Sequence, residues 1–105
     1  MLKLNPHIIK IAKSKALQSH CRYKVSALGF NRKNDLIDYV KNEHRWEGKG
    51  RGSHSEMIIM LHNPTSLKSI IICRVNKKGD FLPIDPCKTC AEKAKELGIK
   101  IYTIK

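Results

Sequence analysis

Two short clusters of side chains in this chain have the types and spacing of a metal site. Pro86-Cys87-Lys88-Thr89-Cys90 contains a C-x-x-C pair; at the start of a helix the two thiols share one face and can hold one ion. A helix N-terminus also favours the thiolate, because its unsatisfied N–H groups carry partial positive charge. Upstream, His54-Ser55-Glu56 supplies an imidazole and, two residues on, a carboxylate. Positions i and i+2 of a helix point to different sides. Glu56 is therefore poorly placed as a second ligand beside His54 and better placed to reach whatever occupies the open position of the metal. With His54, Cys87 and Cys90 as ligands, the fourth tetrahedral position of a zinc ion is left to water, the arrangement of a catalytic site. Zinc would lower the pKa of that water to about 7, and Glu56 could take its proton and pass it to a leaving nitrogen.

A C-x-x-C alone also occurs in redox pairs and structural zinc knuckles. A four-thiolate site would need Cys21 and Cys73, which stand alone in the sequence and read instead as small buried apolar residues. Four cysteines in a short secreted chain would suggest disulfides, but the N-terminus shows no apolar signal region, so thiols or metal ligation are favoured. His7, His20, His44 and His62 read as solvated or structural.

The elements that must position these residues follow from periodicity and turn chemistry. Asn5-Pro6 reads as an N-cap and first helical residue, followed by Ile8, Ile11, Ala12, Ala16 and Leu17 at helical spacing, which predicts a helix over residues 6–18. Residues 23–30 and 36–40 are rich in strand-formers and flank the polar turn 31–35, which predicts a hairpin. Residues 42–53 (NEHRWEGKGRGS) form a loop. A short helix over 55–62 is stopped by Asn63-Pro64, and residues 67–75 (LKSIIICRV) read as a buried strand. The segment 81–84 leads into Asp85-Pro86. The last helix is marked by the stripe Cys87, Cys90, Ala91, Ala94 and Leu97 with charges on the other faces, and Gly98 stops it. Residues 99–104 make a final strand. The order α-β-β-α-β-α-β points to one α/β domain over 1–105 whose last β-α-β crossover makes two strands parallel.

The 105 residues hold 21 Lys+Arg against 9 Asp+Glu, a formal charge of +12. Such an excess attracts phosphate-bearing partners, of which a polynucleotide is the natural one. Trp46 lies among Arg45, Lys49 and Arg51 in the loop before His54; it could stack a base beside a target nucleotide or pack over its own loop. With 41% hydrophobic and 6% aromatic residues the core is thin, and support from a metal, ligand or partner chain is expected. The longest apolar runs fall far short of the ~18 residues of a membrane span. The expected location is cytoplasmic, with no membrane partner.

H-x-E followed by P-C-x-x-C, here separated by 29 residues, is the signature of zinc-dependent nucleobase deaminases. On these motifs the sequence resembles the cytidine deaminase-like superfamily, which includes cytidine, deoxycytidylate, tRNA-adenosine and polynucleotide cytosine deaminases. Residues 21–29 (CRYKVSALG) resemble the first strand of that family, with Val25-Ser26-Ala27 where Val-Gly-Ala is usual, and Ala91 after Cys90 also fits. Asn42 occupies the place of the asparagine that binds base or sugar. Family members continue into a further helix and strand, so the chain resembles a minimal form whose sheet edge is completed by self-association or left open.

The resemblance implies an α/β three-layer sandwich, a mixed sheet of about four strands flanked by helices. It also implies hydrolytic deamination of cytosine to uracil, with Zn2+ held by His54, Cys87 and Cys90, and Glu56 moving protons. Cytosine is favoured over adenine by closer likeness to the cytidine and deoxycytidylate branches, including the extended approach 77–85 to Pro86. Charge and Trp46 favour single-stranded nucleic acid as substrate, contacted by Asn42, Arg45, Trp46, Lys49 and Arg51. The other readings are a free cytosine nucleoside or nucleotide, adenosine in nucleic acid, and a nucleic-acid-binding protein with structural zinc.

Overall fold

A computed structural model describes residues 6–19, 24–42, 59, 60, 62, 63, 65–86 and 88–104. Along the chain these form α1 (Pro6–Leu17), β1 (Lys24–Phe30), β2 (Leu36–Lys41), β3 (Ser69–Val75), β4 (Phe81–Leu82), α2 (Lys88–Leu97) and β5 (Lys100–Thr103). Ile59, Met60 and His62 are also helical, and Asn63 is not, in keeping with the predicted stop.

The strand order is β2-β1-β3-β4, with β5 also paired to β3. β1 runs antiparallel along the whole of β3. The other edge of β3 is divided between two short strands. β4 pairs antiparallel with Arg74 and Val75, and β5 pairs parallel with Ser69, Ile70, Ile71 and Ile72. The sheet is mixed, as expected, and the predicted parallel pair is β3 and β5. It has five strands, because Phe81 and Leu82, expected only as a connector, pair with the end of β3.

Side chains alternate across a strand, and here both faces are covered. Ile70 and Ile72 of β3 and Ala27 of β1 join Ile59, Met60, Leu67, Cys90, Ala94 and Ile99 in one cluster. Ile71, Cys73 and Val75 join Leu28, Phe30, Ala12, Ala16 and Ile104 in another. The sheet is thus the middle of three layers, with α1 on one face and α2 and the helical residues 59 and 60 on the other. Small Ala12 and Ala16 seat α1 close to the sheet, where Ser26 Oγ donates to the Ala12 carbonyl at 2.8 Å. Leu17, expected in the buried stripe, is exposed. It follows buried Ala16 by one position, which turns it about 100° round the helix.

A bulge corrects the facing of β2. Gly29 pairs with Asp38 but Phe30 pairs with Leu36, which leaves Ile37 as an extra residue. Leu36 therefore packs with the α1 layer, whereas Val40, four residues on, packs with the α2 layer. Both hairpin turns are built alike. Asn31 Oδ1 accepts from Lys33 and Asp35 N–H, and Asn76 Oδ1 accepts from Lys78 and Asp80 N–H. Each turn closes through a residue of positive φ, Asn34 in the first and Gly79 in the second.

α2 follows the predicted stripe: Cys90 and Ala94 are buried, and Ala91 and Leu97 are half-buried. It ends in a Schellman arrangement, with Ile99 N–H donating to Ala94 O at 2.8 Å and Gly98 N–H to Lys95 O at 3.2 Å. Gly98 has φ 72° and a Cβ there would meet nothing within 4 Å. Gly98→Ala is accordingly expected to lower stability by about 1–2 kcal/mol, the backbone cost of a left-handed alanine, read as a lower urea midpoint with an unchanged slope; Gly98→Asn is expected to recover part of it.

Candidate active site

Of the residues expected to act, Asn42 and Cys90 lie among the described residues. Arg45, Trp46, Lys49, Arg51, His54, Glu56 and Cys87 lie outside them, as do Cys21, His20 and His44. Cys90 is the third residue of α2, in the first turn. It is buried in the same apolar cluster as Ile59 and Met60, which follow Glu56 by three and four positions. Packing thus joins the first turn of α2 to Ile59 and Met60, the described residues that follow H-x-E in sequence. Among the described residues no three of His, Cys, Asp and Glu converge on a metal position, Cys90 being the only described member of the expected ligand set. As a donor set, one imidazole and two thiols, one of them in a helical first turn, suit zinc.

Cys73 is not a candidate fourth thiolate. It belongs to the α1 layer and Cys90 to the α2 layer, so the sheet lies between them. Cys73 Sγ sits 3.1 Å from Ser26 Oγ, and burial pushes its thiol pKa up, against a smaller opposing effect of the Ser26 contacts. This is the small buried residue expected from the sequence. His7 is exposed. His62 is exposed, with Nδ1 3.6 Å from Asp38 Oδ2, and Asn63 Nδ2 donates to the same oxygen at 2.8 Å. These contacts tie His62 and Asn63 to β2.

Asn42 continues the β1–β2 ladder by one residue. Its N–H donates to Val25 O at 2.9 Å, but the return bond comes to its side chain: Val25 N–H donates to Oδ1 at 3.0 Å. Ser19 Oγ, after α1, donates to the same Oδ1 at 2.6 Å. Two donors fix the amide orientation, and Oδ1 is committed to the fold. Asn42 can therefore meet a substrate only as a donor. The buried Ser19 was invisible to sequence reasoning, since a serine after a helix carries no signal of a partner 23 positions away.

Sequence reasoning also missed Arg74. It pairs with Val25 on one side and Leu82 on the other, in the row that begins with Asn42. By alternation it faces the same layer as Ile70 and Ile72, the layer of Cys90. It is the one residue of β3 that is only half-buried. An arginine at the end of an otherwise apolar strand was the available signal.

No protein-family model matches the sequence, and no curated protein matches it significantly. Solved structures do. Cytidine deaminase from Burkholderia pseudomallei aligns with a TM-score of 0.68 at 16% identity, over 97% of this chain and 87% of its own. The Mycobacterium leprae cytidine deaminase gives 0.64 at 24% identity, over 96% and 89%. That of Mycobacterium tuberculosis gives 0.61 at 16% identity, over 94% and 85%. The three-layer arrangement built above is the fold of these proteins.

Asn42→Ala is expected to cost about 1–3 kcal/mol in chemical denaturation, because it strands a backbone donor, whereas Asn42→Asp keeps an acceptor and most of the stability. The Cys73 thiol, held neutral in the fold, makes stability fall as pH rises above the ordinary thiol range. There the unfolded chain ionises while the folded one does not, at up to ~1.4 kcal/mol per pH unit until the folded pKa is reached. Cys73→Ala is expected to flatten that part of the pH profile.

Proposed function

We propose that this protein is a zinc-dependent hydrolase that converts cytosine to uracil in single-stranded nucleic acid and releases ammonia. The observation that carries this reading is the position of Cys90: buried in the first turn of α2, against the helical residues that follow H-x-E, on a fold shared with cytidine deaminases.

His54, Cys87 and Cys90 would hold the metal. When bound, zinc supplies a water acidic enough to act as a nucleophile near neutral pH. Glu56 takes one proton of the attacking water to the ring nitrogen, then moves the second, from the hydroxyl now on C4, to the exocyclic amine. The C4–O bond forms first, with the C4=N electron pair moving to the ring nitrogen; the C4–N bond then breaks as C4=O forms, and ammonia carries away the amine. Asn42 offers N–H to base or sugar. In the loop before His54, Trp46 stacks a neighbouring base, and Arg45, Lys49 and Arg51 meet phosphates.

The +12 charge supports a polynucleotide. A second reading, free cytidine or a cytosine nucleotide, is favoured by the structural neighbours, each a cytidine deaminase. Among the described residues no helix is long and apolar enough to cross a membrane, and a cytoplasmic setting completes the proposal.

Zinc-loaded protein incubated with single-stranded DNA, single-stranded RNA, deoxycytidylate and cytidine is expected to raise the mass of an oligonucleotide by about 1 Da, the exchange of an amine for an oxygen. A gain confined to the monomers selects the second reading. Activity only on adenine-containing strands overturns cytosine, and no gain at all leaves a structural zinc. Glu56→Gln is expected to abolish turnover with zinc content and thermal melting retained. His54→Ala and Cys87→Ala are expected to lose zinc and melt earlier, since metal binding and folding are coupled.

A further inference from the structure

The end of the sheet where α2 begins is also crowded with cations. Asn42, Val25, Arg74 and Leu82 form the row across β2, β1, β3 and β4 at that end. Arg74, half-buried, faces the α2 layer. Three and four residues later, Lys77 and Lys78 stand exposed at the tip of the β3–β4 turn. The same turn touches the opposite layer. A Cβ on Gly79 would lie 2.7 Å from Lys13 Cε and 3.5 Å from its Nζ, so the Lys13 ammonium of α1 lies against the turn. Exposed Lys10 sits one helical turn before it. Lys24, at the start of β1, donates through Nζ to Ser19 O. The opposing group is Asp80, exposed in the turn, whose carboxylate accepts from Asn76 Nδ2 at 3.2 Å.

The cations therefore run from the α2 layer, over the end of the sheet, to the α1 layer. Packed layers are separated by roughly 10 Å, more than the phosphate of one nucleotide can bridge. A strand with a phosphate at every residue can follow the whole path. Among the described residues, the one exposed large apolar side chain beside it is Leu17, whose Cδ1 lies 3.7 Å from the same Cβ position. One leucine is not the apolar face that an interfacial helix inserts into lipid. The forked guanidinium of Arg74 suits a phosphate at the mouth of the site, and the lysines suit successive ones as point charges.

We infer that Arg74, Lys77, Lys78 and Lys13 form a phosphate-binding strip that leads a single-stranded polynucleotide from the candidate active site round the end of the sheet. The inference rests on the deaminase reading above, and deepens it by naming the path of the strand.

The test is the salt dependence of binding, which needs no turnover. Fluorescence anisotropy would follow a fluorescein-labelled single-stranded oligonucleotide with one cytosine on zinc-loaded Glu56→Gln protein, so that the strand is not consumed. Lys13→Ala, Lys77→Ala and Lys78→Ala are each expected to flatten the plot of log affinity against log salt by about 0.7, the value of one lost phosphate contact on a single strand. Arg74→Lys, which keeps the charge and spares the fold, is expected to keep the slope and weaken affinity. Melting curves check that each variant is folded. An unchanged slope and affinity in the triple lysine variant overturns the strip. So does deamination of free cytidine by a protein that binds no oligonucleotide, an outcome that leaves the deaminase reading standing. Lysine-dependent sedimentation with phosphatidylserine and phosphatidylcholine vesicles, without oligonucleotide binding, also overturns it. Lysine-dependent strand binding without deamination of any substrate supports the strip and removes the deaminase reading.

Discussion

Seven residues, Ser69–Val75, pass through the middle of the protein with six of them buried, and the alternation of their side chains decides which layer every neighbour serves. Ile70 and Ile72 hold α2 and the helical residues 59 and 60. Ile71, Cys73 and Val75 hold α1. A slip of one residue would exchange the two sets, turn Arg74 into the α1 layer and lose the fit of each helix to its own row. The slip is blocked by β1, which matches β3 residue for residue from Lys24 with Val75 to Phe30 with Ser69. Placement of Cys90 against the segment after Glu56 is a consequence of this register, since both meet on the bed made by Ile70, Ile72 and Ala27.

Much of this was legible because burial leaves a pattern. The Ile triplet announced β3, the spacing of Cys90, Ala94 and Leu97 announced α2, and the polar turn 31–35 announced the hairpin of β1 and β2. What was not legible has no periodic trace. β4 is two residues long, too short for alternation to be seen. The bulge at Ile37 breaks the parity of Leu36 and Val40, and it is defined only by the partner strand. At the site, spacing marked Cys90, and the resemblance to deaminases pointed to Asn42. It could not show that Asn42 Oδ1 is shared by Val25 and Ser19, because both donors come from elsewhere in the chain. The separation of Cys73 from Cys90 by the sheet is likewise a fact of layers, invisible in a list of four cysteines.

The end of the sheet near α2 combines two demands that usually conflict. It must be dry enough to bury Cys90 and polar enough to host Asn42 and Arg74. The structure meets both by rows. The row of Ala27 and Ile72 is apolar and lies under the helices. The next row, Asn42, Val25, Arg74 and Leu82, begins the polar rim. Two residues along a strand, about 6.6 Å at ~3.3 Å per residue, separate hydrocarbon from hydrogen-bonding groups on this face. Donors placed on such a rim are held by the backbone ladder itself and need no loop to position them.

The outer side of β3 is shared by β4 and β5, which run in opposite senses and together pair with six of its seven residues. Beyond them, the free edge consists of two abutting pieces, two and four residues long. A foreign strand laid along it would have to be parallel to one piece and antiparallel to the other, with hydrogen-bond spacings that do not match. The opposite edge, β2, is interrupted by its bulge. Among the described residues, then, neither flank of the sheet offers a long straight template, which discourages the runaway edge-to-edge stacking that seeds amyloid. For a small protein with a thin core, that is a form of protection against aggregation that does not depend on how strongly it is folded.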